Sequence, residues 1–205
     1  MSFTGTLKPF QVDAFDRMIK RKKVMVGYEM GLGKTVITIA AVEHLLEEEK
    51  IGVCLVVVPS SLKYQWKRSI EQFTDGAISL VIDGVPKKRQ QQYAEVLDGA
   101  IEYVIMNYEQ VVGDWEFVKH LPRDCIVLDE ATAIKNPGAK RTKRIKKLTG
   151  DYRFALTGQP VENRAEEAFS IMQWVDKDVL GDYRMFDSTF VVRDHWGKVQ
   201  RYKNL

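Results

Sequence analysis

Short apolar runs rich in β-branched residues recur along the chain and alternate with longer amphipathic stretches. Val53-Cys54-Leu55-Val56-Val57-Val58 contains no polar residue, the pattern of a strand covered on both faces within a parallel sheet. Shorter runs at Lys23-Val24-Met25-Val26, Ile78-Ser79-Leu80-Val81-Ile82, Tyr103-Val104-Ile105-Met106, Ile126-Val127-Leu128 and Arg153-Phe154-Ala155-Leu156 read as further strands. Between them the spacing is helical. Val12, Phe15, Met18 and Ile19 follow Pro9, which suits a first helical turn. Val36 to Val42 give the apolar side of a second helix, and Leu62, Trp66 and Ile70 that of a third, with Ser60 or Ser61 as its cap. A polar helix runs from Lys87-Lys88-Arg89 to about Leu97. Residues 111–122 read as a loop and short helix, with Trp115 and Phe117 assigned to the core. Ala139, Thr142, Ile145 and Leu148, then Ala168, Phe169, Ile171, Met172 and Trp174, mark two later helices. Strand–helix alternation from about residue 23 to 175 predicts a three-layer α/β domain with a mostly parallel central sheet. Residues 178–205 are aromatic and charged without clear period, and no repeat is present.

Candidate chemistry lies where strands end. Gly27-Tyr28-Glu29-Met30-Gly31-Leu32-Gly33-Lys34-Thr35 joins the first strand to the second helix. A glycine-rich turn there points backbone N–H groups at one spot, at the positive end of the helix dipole, which is a phosphate cradle. Met30, Gly31, Leu32 and Gly33 supply that backbone. Lys34 is placed to reach β- and γ-phosphates, and the Thr35 hydroxyl to ligate Mg²⁺. The usual pattern has a glycine five residues before Gly33, where this chain has Tyr28. Asp129 and Glu130 end the strand Ile126-Val127-Leu128. Two acids there are costly unless they serve a cation or a reaction. Asp129 would hold Mg²⁺ opposite Thr35, and Glu130 would polarise the water that attacks the γ-phosphate. Gln11 offers both a donor and an acceptor, as reading an adenine edge requires, or it is a solvated helix glutamine.

Charge and size narrow the partners. The 205 residues suffice for one domain with an appendage, and 45% hydrophobic content allows a sizeable core. A net charge of +3 means that nucleic-acid contact must come from local basic patches. Lys140, Arg141, Lys143, Arg144, Lys146 and Lys147 form one such face, either a phosphate-tracking surface or a snorkelling solvated one. No apolar stretch is long enough to span a bilayer, and the first residues lack a signal-peptide pattern. Cys54 and Cys125 sit inside apolar runs and read as buried thiols of a reducing compartment, so a cytoplasmic location is expected.

Six blocks in register carry a resemblance. Leu-Lys-Pro-Phe-Gln at 7–11, Glu-Met-Gly-Leu-Gly-Lys-Thr at 29–35, Val-Val-Pro-Ser-Ser-Leu-Lys-Tyr-Gln-Trp at 57–66, Asn-Tyr-Glu at 107–109, Asp-Glu-Ala-Thr-Ala-Ile-Lys-Asn at 129–136 and Leu-Thr-Gly-Gln-Pro-Val-Glu-Asn-Arg at 156–164 resemble the Swi/Snf-type translocases of helicase superfamily two. The closing residues 197–205 are similar to prokaryotic and viral members. The resemblance implies a RecA-like P-loop NTPase lobe over residues 1–175 and an extension over 176–205 that leads toward a second RecA-like lobe. It implies ATP and Mg²⁺ as cofactors, adenine reading by Gln11, and translocation on double-stranded DNA. It places Ser60, Ser61, Lys63, Gln65, Trp66, Asn107, Tyr108, Lys135 and Asn136 on the nucleic-acid side, to which the phosphate-tracking reading of the basic helix adds Lys140 and Arg141. Thr132, Thr157 and Gln159 fall where the family couples hydrolysis to DNA. Thr132 stands for the usual histidine and Gln159 for the usual threonine, so a Thr132–Gln159 hydrogen bond is expected to keep the link. Alternatives are a strand-separating helicase, a restriction-enzyme motor lobe, and a non-catalytic binding module of the same fold.

Overall fold

Every apolar run identified above is a strand, and each lies beside its neighbours in parallel. The computed structural model describes residues 3–158, 165–196 and 198–203. Its elements are α1 (Pro9–Arg21), β1 (Lys23–Val26), α2 (Lys34–Glu47), β2 (Cys54–Val58), α3 (Lys63–Phe73), β3 (Ser79–Val81), α4 (Pro86–Leu97), β4 (Tyr103–Asn107), α5 (Tyr108–Gly113), α6 (Trp115–Val118), β5 (Cys125–Leu128), α7 (Lys140–Ile145), β6 (Tyr152–Leu156), α8 (Ala165–Val175), α9 (Tyr183–Phe190), β7 (Val191–Arg193) and β8 (Val199–Tyr202). Short 3-10 turns at Ser60–Leu62 and Ala131–Ile134 follow β2 and β5. The main sheet has the order β1-β6-β5-β2-β4-β3 and is parallel throughout.

The pleat divides the core in two. Cys54, Val56 and Val58 face one side with Met18 of α1, Ile37 and Leu45 of α2, and Trp66 and Ile70 of α3. Leu55 and Val57 face the other with Val96 of α4, Val111 of α5, Ile145 of α7 and Trp174 of α8. Both faces of a parallel sheet must be covered because its strands carry apolar groups on each side. Cys54 and Cys125 pair in register across β2 and β5 and are free, buried thiols. No helix among the described residues is long and apolar enough to cross a membrane.

Three features differ from the sequence pattern. The aperiodic tail is folded: Asp182 caps α9 by accepting from the Met185 N–H, and β7 pairs antiparallel with β8. Its order comes from ring contacts and ion pairs, which have no period. Phe169 and Phe186 centroids lie 4.6 Å apart, Arg193 binds Asp187, and the Tyr202 hydroxyl donates to Glu166 at 2.6 Å. The helix after Gly138 stops at Ile145, so Leu148 joins the core from beyond its end. Trp115 and Phe117 are only partly covered. The Arg144 guanidinium lies 4.8 Å over the Trp115 ring, and Phe117 stacks on Tyr93 while remaining 41% exposed.

On the second face, α4 is fastened to the α5–α6 junction by Asp114. Its carboxylate accepts from Arg89 Nε (2.6 Å) and Nη2 (2.9 Å) and from the Tyr93 hydroxyl (2.8 Å). Arg89, then Tyr93, hold the Asp114 carboxyl below its ordinary value against the opposing effect of burial. Its contribution to stability is therefore complete above the unfolded value, and is lost as pH falls through the lower folded one. Asp114→Ala should destabilise the fold by about 2–3 kcal/mol at pH 7. In urea titrations its gap from the wild type should shrink below about pH 4.

Candidate active site

The loops after β1, β2, β4, β5 and β6 share the carboxyl rim of the sheet, where open α/β sheets take ligands. The loop between β1 and α2 turns at Gly31 (φ +82°) and Gly33 (φ +76°), conformations that favour glycine. A Cβ on Gly33 would lie 2.5 Å from Gln11 Nε2, so any side chain there would displace the Gln11 amide. Gln11 is buried, accepts from the Lys8 N–H at 2.8 Å and donates to the Leu32 carbonyl at 3.2 Å. It is a strut between α1 and the loop, not a solvated glutamine. Met30 and Leu32 point outward, 81% and 40% exposed.

Lys34 folds back over the loop. Its Nζ donates to the Tyr28 carbonyl (2.7 Å) and the Glu29 carbonyl (3.1 Å). A Cβ on Gly158, just past β6, would stand 4.0 Å from that nitrogen, so β6 closes the loop from the far side. Thr35, half-buried, opens α2.

Asp129 is 7% exposed at the end of β5. Oδ2 accepts from Trp66 Nε1 at 2.8 Å and Oδ1 from the Glu130 N–H at 2.9 Å. Burial pushes its carboxyl up, while Trp66, the Glu130 N–H and the charge of Lys34 pull it back. Burial, then the charge of Asp129, raises Glu130, and Lys34 again opposes. The charge of Lys34 thus acts on both acids, which end β5 two strands away from β1 on the same rim of the sheet. Glu130 holds φ 49° and ψ 55°, a left-handed conformation that costs a non-glycine residue about 1–3 kcal/mol and is concentrated at functional sites. Thr132 is half-buried in the next turn, and the Thr157 N–H donates to the Val26 carbonyl at 3.1 Å. Gln159, the expected partner of Thr132, lies outside the described residues.

Four residues expected on the nucleic-acid side are internal instead. Trp66 is 2% exposed and faces Asp129. Tyr108 is buried, donating to the Asp129 carbonyl at 2.7 Å. Lys63 is buried, donating to the Ile82 carbonyl (3.0 Å) and to Asp83 (2.7 Å). Asn107 caps α5 by accepting from the Gln110 N–H at 2.8 Å. Ser60, Ser61, Gln65, Asn136 and Lys140 are exposed. Lys135 pairs with Glu167 at 3.3 Å, and Arg141 binds Glu109 beneath its position over the Tyr108 ring. The basic face of α7 is thus partly committed to internal partners. The Trp66–Asp129 and Tyr108–Asp129 bonds had no signal in residue spacing, because 63 and 21 positions separate the partners.

Residues 11–204 match the SNF2-related domain. The chain belongs to the SNF2-related domain family. It is 29% identical over 192 residues to the ISWI chromatin-remodeling complex ATPase ISW1 of Saccharomyces cerevisiae, covering 91% of this chain and 17% of that protein. It is 32% identical over 163 residues to an uncharacterized ATP-dependent helicase of Mycoplasma pneumoniae, covering 79% of this chain and 16% of that protein. The chain thus spans less than a fifth of either relative. The Sulfolobus solfataricus SWI2/SNF2 ATPase core in complex with double-stranded DNA superposes with a TM-score of 0.81 at 30% identity, over 92% of this chain and 40% of that one. The sheet and its helices are accordingly the RecA-like fold of this SNF2 family.

Lys63→Met tests the reassignment of that lysine. It should lower stability by about 1 kcal/mol in thermal or urea melts, by removing one of two donors to the Ile82 carbonyl and the bond to the part-exposed Asp83.

Proposed function

We propose that this chain is the ATP-binding lobe of a DNA-dependent ATPase that moves along double-stranded DNA. The observation that carries it is a glycine loop at a helix N-terminus on the same rim as the buried Asp129 and Glu130, with the charge of Lys34 acting on both acids. Relatives known as an ATPase and as an ATP-dependent helicase, and a related core solved with double-stranded DNA, support the same reading.

Each residue then has a task. Backbone N–H groups of residues 30–33 receive phosphate oxygens, with no side chain at Gly31 or Gly33 in the way. Lys34 exchanges the Tyr28 and Glu29 carbonyls for β- and γ-phosphate oxygens. Glu130, raised by burial and by Asp129, orients the attacking water and accepts its proton. Thr35 and Asp129 offer hard oxygen ligands suited to magnesium, which supplies charge neutralisation between the β- and γ-phosphates when bound. No group of three or more His, Cys, Asp or Glu among the described residues is arranged for a metal. That suits an ion whose other ligands are phosphate oxygens and water. Gln11 retains a donor and an acceptor site for a purine edge beyond its two bonds.

Ser60, Ser61, Gln65, Asn136 and Lys140 are the exposed residues for backbone contacts with DNA, with Lys135 and Arg141 at their margin. A second RecA-like lobe completes the γ-phosphate site, and the region beyond residue 175 leads toward it. The chain's 40% coverage of the solved core supports that incompleteness. The free thiols inside the sheet are in keeping with a reducing cytoplasm.

In the full-length protein, Lys34→Ala should abolish DNA-stimulated ATP hydrolysis and leave DNA binding intact. Glu130→Gln should keep nucleotide binding and slow turnover by about 10²-fold or more. Unchanged activity in both would identify a non-catalytic module. The isolated 205-residue chain should hydrolyse ATP on the order of 10³-fold more slowly than the full-length protein, because the second lobe proposed above would supply an arginine to the γ-phosphate.

A further inference from the structure

Trp66 belongs to none of the tasks above, yet its placement is costly to explain by packing alone. Its indole is 2% exposed and is among the largest fully buried side chains beside α2 and β2. The N–H of a buried indole usually finds an acceptor, and a backbone carbonyl would serve; the equally buried Trp174 Nε1 has none among the described residues. Here it is aimed at a carboxylate oxygen of Asp129, across 63 residues of sequence, at 2.8 Å. The other oxygen accepts from the Glu130 N–H, and the backbone carbonyl of Asp129 accepts from Tyr108.

We infer that Trp66 is a positioning residue for the metal-holding carboxylate: its N–H fixes the plane of Asp129 and leaves the outward lone pairs for magnesium. This rests on the reading of Asp129 as a magnesium ligand given above. The terminal torsion of an aspartate is broad, so an unheld carboxylate can rotate away from the direction its cation needs. Each carboxylate oxygen has two lone-pair sites, so one bond to each oxygen orients the group without exhausting it. Indole suits this role because it only donates: it cannot ligate the cation or compete for it. Second partners of this kind are worth about 10–100-fold in metal affinity or activity. Trp66 lies in the first turn of α3, directly after the exposed Ser60–Ser61 turn, so the solvent rim and the carboxylate meet the same end of the helix.

The test uses the full-length protein with Trp66→Phe. A second variant places 3-benzothienylalanine at position 66 alone, which keeps the bicyclic shape and removes the N–H. Binding of a fluorescent ADP analogue is titrated in EDTA and against Mg²⁺, with double-stranded DNA affinity measured in parallel. Both variants should bind nucleotide in EDTA as the wild type does. Both should need about tenfold more Mg²⁺ for its effect on binding, with DNA affinity unchanged. An unchanged Mg²⁺ requirement in the shape-matched variant overturns the inference even if Trp66→Phe unfolds. Weaker DNA binding with a normal Mg²⁺ requirement overturns it too, and returns Trp66 to the nucleic-acid side. Asp129→Asn runs alongside: if it leaves the Mg²⁺ dependence intact, Asp129 is no magnesium ligand and both statements fall.

Discussion

A carboxylate at the end of a buried strand has to be held by something, and how Asp129 is held organises much of the rim. Water is largely excluded there, so the group relies on donors from the protein. An indole from α3 and a main-chain N–H meet its oxygens, and a phenol from α5 meets its carbonyl. Those donors come from opposite faces of the sheet, since Trp66 packs in one core and Tyr108 in the other. The residue thus joins both helical layers at the point where β5 ends. Lys34, across the rim, adds a compensating charge.

The parallel sheet makes this possible. With every strand running the same way, five loops of unrelated sequence open at one edge, and their relative positions follow from strand order. β6 lies between β1 and β5, so its end separates the glycine loop from the acids by one strand's width, with Gly158 beside Lys34. A side chain on Gly33 would meet Gln11, and one on Gly158 would meet Met30. The loop is therefore shaped by its surroundings as much as by its own glycines.

Much of the layered fold was legible in the sequence, because a strand buried on both sides has to be apolar throughout. The Val53–Val58 run could scarcely be anything else. The glycine loop and the Asp129–Glu130 pair were legible for a related reason: special backbone angles and buried charge restrict the residue choices. What was not legible was direction. Lys63, Trp66 and Tyr108 sit in stretches that look functional, and sequence does not say which way their side chains turn. The polar ends of Lys63 and Trp66 serve Asp83 and Asp129 inside the fold. The C-terminal hairpin was hidden because Arg193, Asp187, Glu166 and Tyr202 hold it through contacts that leave no repeating pattern.

The position of β1 at the sheet's margin has a consequence for the order in which the chain acquires its shape. Among the described residues its only strand partner is β6, and Val26 pairs with Leu156, 130 positions later. Closing so long a loop is slow, and synthesis supplies the N-terminal segment first. While the chain emerges from a ribosome, β2, β4 and β5 can associate before β1 has anywhere to dock. The glycine turn after β1, though made before every other strand of the sheet, would then be among the last parts to take form, with its closure reporting that the sheet is complete.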